Sequence, residues 1–433
     1  MNNKSNRHSD RSKNRSQVRS KQNKRSRSHA EYGQASGSRA FTGHYRKRPN
    51  ENHYTFDRSR KNRYGKNLDI SAFINKQIVV TPEQDTSFIP EHSFADFSVD
   101  ISIKNAISKK GYKTPTPIQD VTIPHILKGR DVVGIANTGT GKTAAFLIPL
   151  INKVIGNPNE KVIVVVPTRE LANQINQELK AFVAGMNIFS VCCVGGTSIV
   201  PQMRDLSRKN NFVIGTPGRL KDLIERKKID MYKINTIVLD EADVMLDMGF
   251  IHDMRYLVAR MPRVRHTLFF SATLSKEIEK LIHDFLDNPV HVSVKTRETP
   301  NNVEQEVVKI RAGEQKIEIL GKLLVHPDFS KVLIFGRTKY GVEKLSRDLH
   351  KKGFLAESIH GNKNYNQRQR ALATFKENKL QILVATDVAS RGLDIPNVSH
   401  VINYDMPNSY DDYIHRIGRT GRWGKKGKAL TFV

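Results

Sequence analysis

The sequence predicts an α/β protein built on two parallel sheets and preceded by a disordered basic tail. Three observations lead there. From about residue 90 onward, short apolar, β-branched runs alternate with amphipathic helical stretches, the pattern of βαβ units. That pattern runs as two series, separated by a polar stretch, Val292–Val303, which carries Pro300, Asn301 and Asn302. Ahead of both, residues 1–70 hold 19 Lys/Arg against 5 Asp/Glu and almost no aliphatic side chains.

The tail comes first in chain order. Its net charge of +14 is half of the +28 carried by all 433 residues. Runs such as Arg11-Ser12-Lys13-Asn14-Arg15-Ser16 and Lys24-Arg25-Ser26-Arg27-Ser28 cannot bury enough apolar surface to offset chain entropy, so disorder is expected. Tyr32, Phe41, Tyr45, Tyr54, Phe56 and Tyr64 are interleaved with the charges, and cations beside stacking rings suit a single nucleic-acid strand. A solvated, solubilising tail stands as the alternative. For the whole chain, so basic a balance makes a polyanionic partner the first expectation, with an anionic membrane surface or simple solubility as alternatives that charge alone does not decide.

Residues 71–89 read as a connecting segment. The first series of strands is expected at Asp131–Ile135, Val162–Val166, Phe212–Ile214, Thr236–Leu239 and Thr267–Phe270. The second is expected at Lys331–Phe335, Gln381–Val384, His400–Ile402 and Ala429–Val433. This places one domain at 90–295, a linker at 296–304 and a second domain at 305–433. Cys192 and Cys193, the only cysteines, are adjacent within an apolar run and read as buried reduced thiols. No apolar run is long enough to span a bilayer, and the basic start lacks the apolar core of a secretory signal. A soluble, cytoplasmic protein is expected.

In parallel α/β sheets, ligands collect at the carboxyl ends of the strands. Here nearly every strand runs into a polar motif at that end. Asp131–Ile135 feeds Ala136-Asn137-Thr138-Gly139-Thr140-Gly141-Lys142-Thr143, and a helix follows. Glycines let backbone N–H groups wrap a phosphate, and the helix N-terminus adds partial positive charge. Lys142 would reach the β- and γ-phosphates, and Thr143 would ligate Mg²⁺. Thr236–Leu239 runs into Asp240-Glu241-Ala242-Asp243. Carboxylates at a strand end near a phosphate loop suit metal binding by Asp240 and water activation by Glu241. By itself, such an acidic run is a weak signal and is usually a solvated turn.

Together these motifs resemble the DEAD-box helicases. Asp240–Asp243 spells the tetrad for which that family is named, and the family's phosphate loop likewise begins with alanine. Gly111-Tyr112-Lys113-Thr114-Pro115-Thr116-Pro117-Ile118-Gln119 is similar to the family's adenine-reading Q motif, and Phe94 lies where the family keeps an upstream aromatic. Pro167-Thr168-Arg169-Glu170-Leu171, Gly195-Gly196 and Thr216-Pro217-Gly218-Arg219 resemble RNA-contacting elements. Ser271-Ala272-Thr273 resembles the element that couples hydrolysis to RNA grip through Asp243. In the second half, Phe335-Gly336-Arg337-Thr338, the run Ala385–Asp394 and the run His415–Arg422 resemble motifs IV, V and VI. The wording at Ile359–Lys363 is similar to bacterial RhlE-like members.

The resemblance covers about residues 90–433. It implies two RecA-like domains with ATP and Mg²⁺ between them, and an RNA-stimulated ATPase that unwinds short duplexes. Nucleotide contacts would come from Phe94, Gln119, Thr138, Gly139, Thr140, Gly141, Lys142, Thr143 and Asp394. Lys142, Asp240, Glu241 and the cross-interface Arg419 and Arg422 would carry hydrolysis, with Thr143 and Asp240 holding the metal. RNA would meet Arg169, Gly196, Thr216, Arg219, Arg337, Arg368 and Thr386, mostly at phosphates and sugars. Ser271, Thr273 and Asp243 would couple the two activities, while Arg416 and His415 read as a structural network. The bound strand would be bent, which releases its partner strand locally.

Two departures stand out. Tyr365 occupies a position where the family usually has glutamine, and the chain stops at Val433, a strand, where relatives usually continue. Two other readings compete: an ATP-gated RNA clamp or annealing chaperone working through the tail, and a DNA helicase. Ribosome assembly, messenger decay and cold adaptation are all open as settings. Nothing indicates an obligate oligomer, so a monomer is expected.

Overall fold

The computed structural model describes residues 88–137, 139–294, 303–390, 395–421 and 425–433. The basic tail, nearly all of the connecting segment and most of the linker lie outside the described residues, as do Thr138, Asp394 and Arg422. Both sheets fall within the unit Lys66–Val433.

The first half forms a seven-stranded parallel sheet. Its strands are β1 (Val132–Ile135), β2 (Val162–Val165), β3 (Ser190–Cys193), β4 (Phe212–Gly215), β5 (Thr236–Leu239), β6 (His266–Ser271) and β7 (Val290–Ser293). They lie in the order β3-β4-β2-β5-β6-β1-β7. The second half forms a six-stranded parallel sheet from β8 (Val303–Val308), β9 (Val332–Phe335), β10 (Ala356–Ile359), β11 (Ile382–Ala385), β12 (His400–Asn403) and β13 (Gly427–Phe432). Their order is β10-β11-β9-β12-β13-β8.

The strands that stand out in the sequence are the central ones. β1, β2, β4, β5, β9, β11 and β12 are buried at every position, which is why each centres on Val, Ile or Leu residues. The strands that the sequence marks poorly sit at edges. β7 and β8 flank the polar boundary stretch, and each has its outward positions exposed or half-exposed. Glu304 and Glu306 of this edge strand stay exposed, while Gln305 between them accepts from Tyr413 Oη at 2.7 Å. The polar boundary is therefore narrower than its composition suggests, with a strand on each flank.

Each sheet is packed on both faces. On one face of the first sheet, Phe146, Ile148 and Ile151 of the helix Lys142–Gly156 pack with Phe270 and Leu268 of β6. On the other, Leu220, Met254 and Leu281 close over β2, β5 and β6. In the second half, Val342 and Leu345 cover one face and Leu372 and Phe375 the other. Cys193 is buried and Cys192 only partly so, both as free thiols. Burial pushes the Cys192 thiol up to about 12, so it stays protonated at neutral pH. Among the described residues no helix is long and apolar enough to cross a membrane.

Candidate functional site

At the carboxyl end of β1, the chain turns through Ala136–Gly141 before the helix Lys142–Gly156 begins. Gly139 and Gly141 have φ of +83° and +93°, a region where side chains are strained. Gly141 is also hemmed in, since a Cβ there would stand 2.5 Å from Gln119 Nε2 and 3.0 Å from Thr116 Oγ1. Gln119 accepts from Thr116 N at 3.0 Å and donates to Gly141 O at 3.0 Å, so it buttresses the loop from the side. Thr140 Oγ1 closes the turn onto Asn137 O at 2.8 Å. Lys142 is buried and donates to Ala136 O at 2.9 Å, a cation held over a cradle of backbone groups.

β5 delivers Asp240 and Glu241 to the same place. Both are buried, and Glu241 has left-handed backbone angles, φ 53° and ψ 50°. Non-glycine residues seldom adopt these, and such strain clusters at functional sites. Glu241 Oε2 is buried without a hydrogen-bond partner. Burial, then the neighbouring Asp240 charge, raises the Glu241 carboxyl to about 7 against the pull of Lys142 and Arg419. Burial likewise raises Asp240, with Lys142 opposing.

These groups line a cleft of about 680 Å³ with Gln119, Gly139, Gly141, Thr143 and, from the second half, Arg419. Arg419 is buried and donates to His415 O at 3.2 Å. Phe94 does not line this cleft. It is 7 % exposed and packs 6.2 Å from the Tyr112 ring and 6.0 Å from Phe97, while Tyr112, Lys113 and Thr114 face the opening. The residues fit a triphosphate with a hard divalent cation. The cradle is tight, a cation and two buried carboxylates converge, and one carboxylate oxygen lacks a partner. Among the described residues no cluster of three or more His, Cys, Asp or Glu could hold a metal.

Asp243 joins this site to β6. Its Oδ2 accepts from Ala272 N and Thr273 N, each at 3.0 Å, and from Thr273 Oγ1 at 3.2 Å. Ser271 does not reach Asp243; its hydroxyl donates to Thr273 O at 2.8 Å and shapes the turn.

A second cavity, about 470 Å³, opens where both halves meet. Arg169, Thr216 and Arg219 line it from the first half, Arg368 from the second. Gly196 lets Arg169 lie flat: a Cβ there would overlap Arg169 Nη1, and φ is +70°. Burial, then the nearby Arg368 charge, disfavours the charged form of Arg169, an imbalance that a phosphate would relieve. Arg219 donates to Thr197 O at 3.2 Å and keeps a buried Nη1 without a hydrogen-bond partner. Arg368 is bound to the buried Glu170 across the two halves, with Nε to Oε1 at 2.9 Å.

Two expected RNA residues stand apart from this cavity. Arg337 is exposed, its backbone N–H bound to Asp405 Oδ2 at 2.8 Å, and Thr386 is buried at the end of β11. Arg416 is 1 % exposed and forks onto Asp387, with Nη2 to Oδ2 at 2.8 Å, while Nη1 reaches Asp405 O at 2.7 Å. It ties the ends of β11 and β12 to its own helix. No sequence signal marks the Glu170–Arg368 pair, since 198 residues separate its members.

Comparisons with known proteins agree with this geometry. The DEAD/DEAH box helicase family matches residues 116–281, and the helicase conserved C-terminal domain matches residues 315–424. The chain is 44 % identical over 343 residues to the DEAD-box ATP-dependent RNA helicase CshA of Bacillus subtilis, covering 79 % of this chain and 69 % of that one. It is 43 % identical to ATP-dependent RNA helicase CshA of Listeria monocytogenes, covering 78 % of this chain and 66 % of the relative. Both relatives carry the name CshA, whereas the wording of Ile359–Lys363 resembles RhlE-like members. Among solved structures, S. cerevisiae Dbp5 bound to RNA and ADP BeF3 aligns with TM-score 0.72 at 29 % identity, covering 79 % of this chain and 89 % of that one. DEAD-box helicase Mss116 bound to ssRNA and UDP-BeF gives 0.71 at 31 %, covering 80 % and 76 %.

Proposed function

The chain belongs to the DEAD-box family of ATP-dependent RNA helicases, and from that membership we propose how its own residues divide the work. Residues 90–295 and 305–433 act as two bodies that close on ATP at one cleft and on an RNA strand at the other. Lys142 turns from Ala136 O to the β- and γ-phosphates, and the N–H groups of the Gly139–Thr143 turn hold their oxygens. Glu241, with its free Oε2 and raised pKa, takes the proton of the attacking water. Arg419, and Arg422 beside it in sequence, bring positive charge from the second body to the transferring phosphoryl group. Magnesium held by Thr143 and Asp240 would neutralise charge between the β- and γ-phosphates. Thr138 and Asp394 are assigned to the nucleotide by their motifs alone.

Arg169, Thr216, Arg219 and Arg368 hold the RNA backbone, with Gly196 seating Arg169. Such contacts fix position without reading bases. Asp243, through Thr273, links the acidic strand end to this grip. One observation carries the reading: Arg419 of the second half lines the same cleft as Lys142 and Glu241 of the first. Complete hydrolytic machinery therefore requires both bodies, and RNA bridging both promotes it. The relatives are named as helicases, so the clamp reading has no support of its own. The test is steady-state ATP hydrolysis with and without single-stranded RNA. Turnover should be RNA-dependent and abolished by Lys142→Ala; RNA-independent turnover would overturn the proposal.

A further inference from the structure

The helices Arg169–Phe182 and Tyr365–Lys376 belong to different halves and face each other through two pairs. Glu170 binds Arg368, and Asn173 Nδ2 donates to Tyr365 Oη. Three residues separate the partners on each helix and the order is reversed, so the pairs form two rungs of an antiparallel ladder. Asn173 is fully engaged: Nδ2 also donates to Arg169 O at 2.9 Å, and Oδ1 accepts from the Cys192 thiol at 3.5 Å. This fixes its orientation, because a flipped amide would set Oδ1 against the Arg169 carbonyl. Tyr365 therefore acts as an acceptor for a side chain already pinned to the backbone of Arg169. It opens its helix beside Asn364, whose side chain accepts from Gln367 N at 2.9 Å and fixes the helix start.

We propose that Tyr365 is a positioning residue, the second rung of a latch that forms only when the two halves close and that holds Arg169 in its RNA-binding pose through Asn173. The inference rests on the closure reading above. Tyr365 lines neither of the two cavities. It acts on the Arg169 carbonyl side, while the Arg169 guanidinium lies over Gly196 in the second cavity. Glutamine at this position would offer an amide with several rotors. The phenol presents one oxygen at the end of a rigid ring, at lower entropic cost on closure.

The test is a double-mutant cycle with Tyr365→Phe, Asn173→Ala and the pair in the full chain. RNA affinity is measured with and without a non-hydrolysable ATP analogue. Tyr365→Phe should weaken analogue-dependent affinity about 3- to 10-fold, the range of one net hydrogen bond, and leave analogue-free affinity unchanged. The double variant should be no weaker than the weaker single one. A residue with a merely structural role would shift both affinities together. If wild type tightens on RNA with the analogue and Tyr365→Phe tightens equally, the latch is wrong and closure stands. If wild type does not tighten at all, closure falls and the latch with it.

Discussion

Glu241 combines a buried, unpartnered carboxylate oxygen with left-handed backbone angles, and neither helps the protein fold. Its carboxyl, raised to about 7 from an ordinary 4.5, binds a proton more tightly folded than unfolded. Its contribution to stability is therefore fully present below the unfolded value and is lost as pH rises through about 7. A general base must be deprotonated, so kcat/KM should fall as pH drops below about 7 and level off above it. Glu241→Gln should reduce turnover by about 10²- to 10⁴-fold, remove that pH arm and leave nucleotide binding intact. The same variant should melt higher than wild type at pH 8, with the difference closing toward acid. Wild-type-like turnover would remove Glu241 from its role. The acidic tetrad was legible as sequence, but the strain and the missing partner were not. Both depend on what β5, β6 and the Arg419 segment place around the carboxylate.

At the scale of elements, the helix Ala242–Asp247 is fastened to the turn after β6 through the Asp243 carboxylate. Any shift of the acidic strand end is thus transmitted to Ala272 and Thr273. Thr273→Ala removes one of three donors, and stability should fall by about 1 kcal/mol, the net worth of a hydrogen bond. Coupling should suffer more than hydrolysis. Duplex separation per ATP consumed should drop about 2- to 30-fold, the span of 0.5–2 kcal/mol in coupling free energy. Equal losses in hydrolysis and separation would argue for a purely catalytic defect. The elements carrying this linkage were readable because buried parallel strands spell continuous apolar runs. β7, β8 and β10 were harder to read, since edge strands keep polar outward positions and their pattern fades into the loops. The Ser271-Ala272-Thr273 element reaches Asp243 through Ala272 N and Thr273, while the Ser271 hydroxyl bonds Thr273 O, a division of labour set by the local turn.

For the whole molecule, the question is how charge is shared between the folded halves and the tail. Arg169, Arg219 and Arg368 converge on one cavity and are partly desolvated, so salt screens them weakly. The 19 Lys/Arg among residues 1–70, with a net +14, are spread over a segment outside the described residues. Solvated charges act on RNA only within a Debye length, about 8 Å at physiological salt. Contributions from the two should therefore separate by ionic strength. Removing residues 1–70 should leave turnover at saturating RNA unchanged, because the residues assigned to hydrolysis lie from Lys142 onward. If the tail engages the strand, its removal should flatten the slope of log affinity against log salt by about 0.7 for each phosphate that the tail neutralises. The two proteins would differ most at low salt and converge at high salt, where the arginine cavity still holds. An unchanged slope and affinity would reduce the tail to a solubilising segment, and the RNA grip would then belong entirely to the closed pair of sheets.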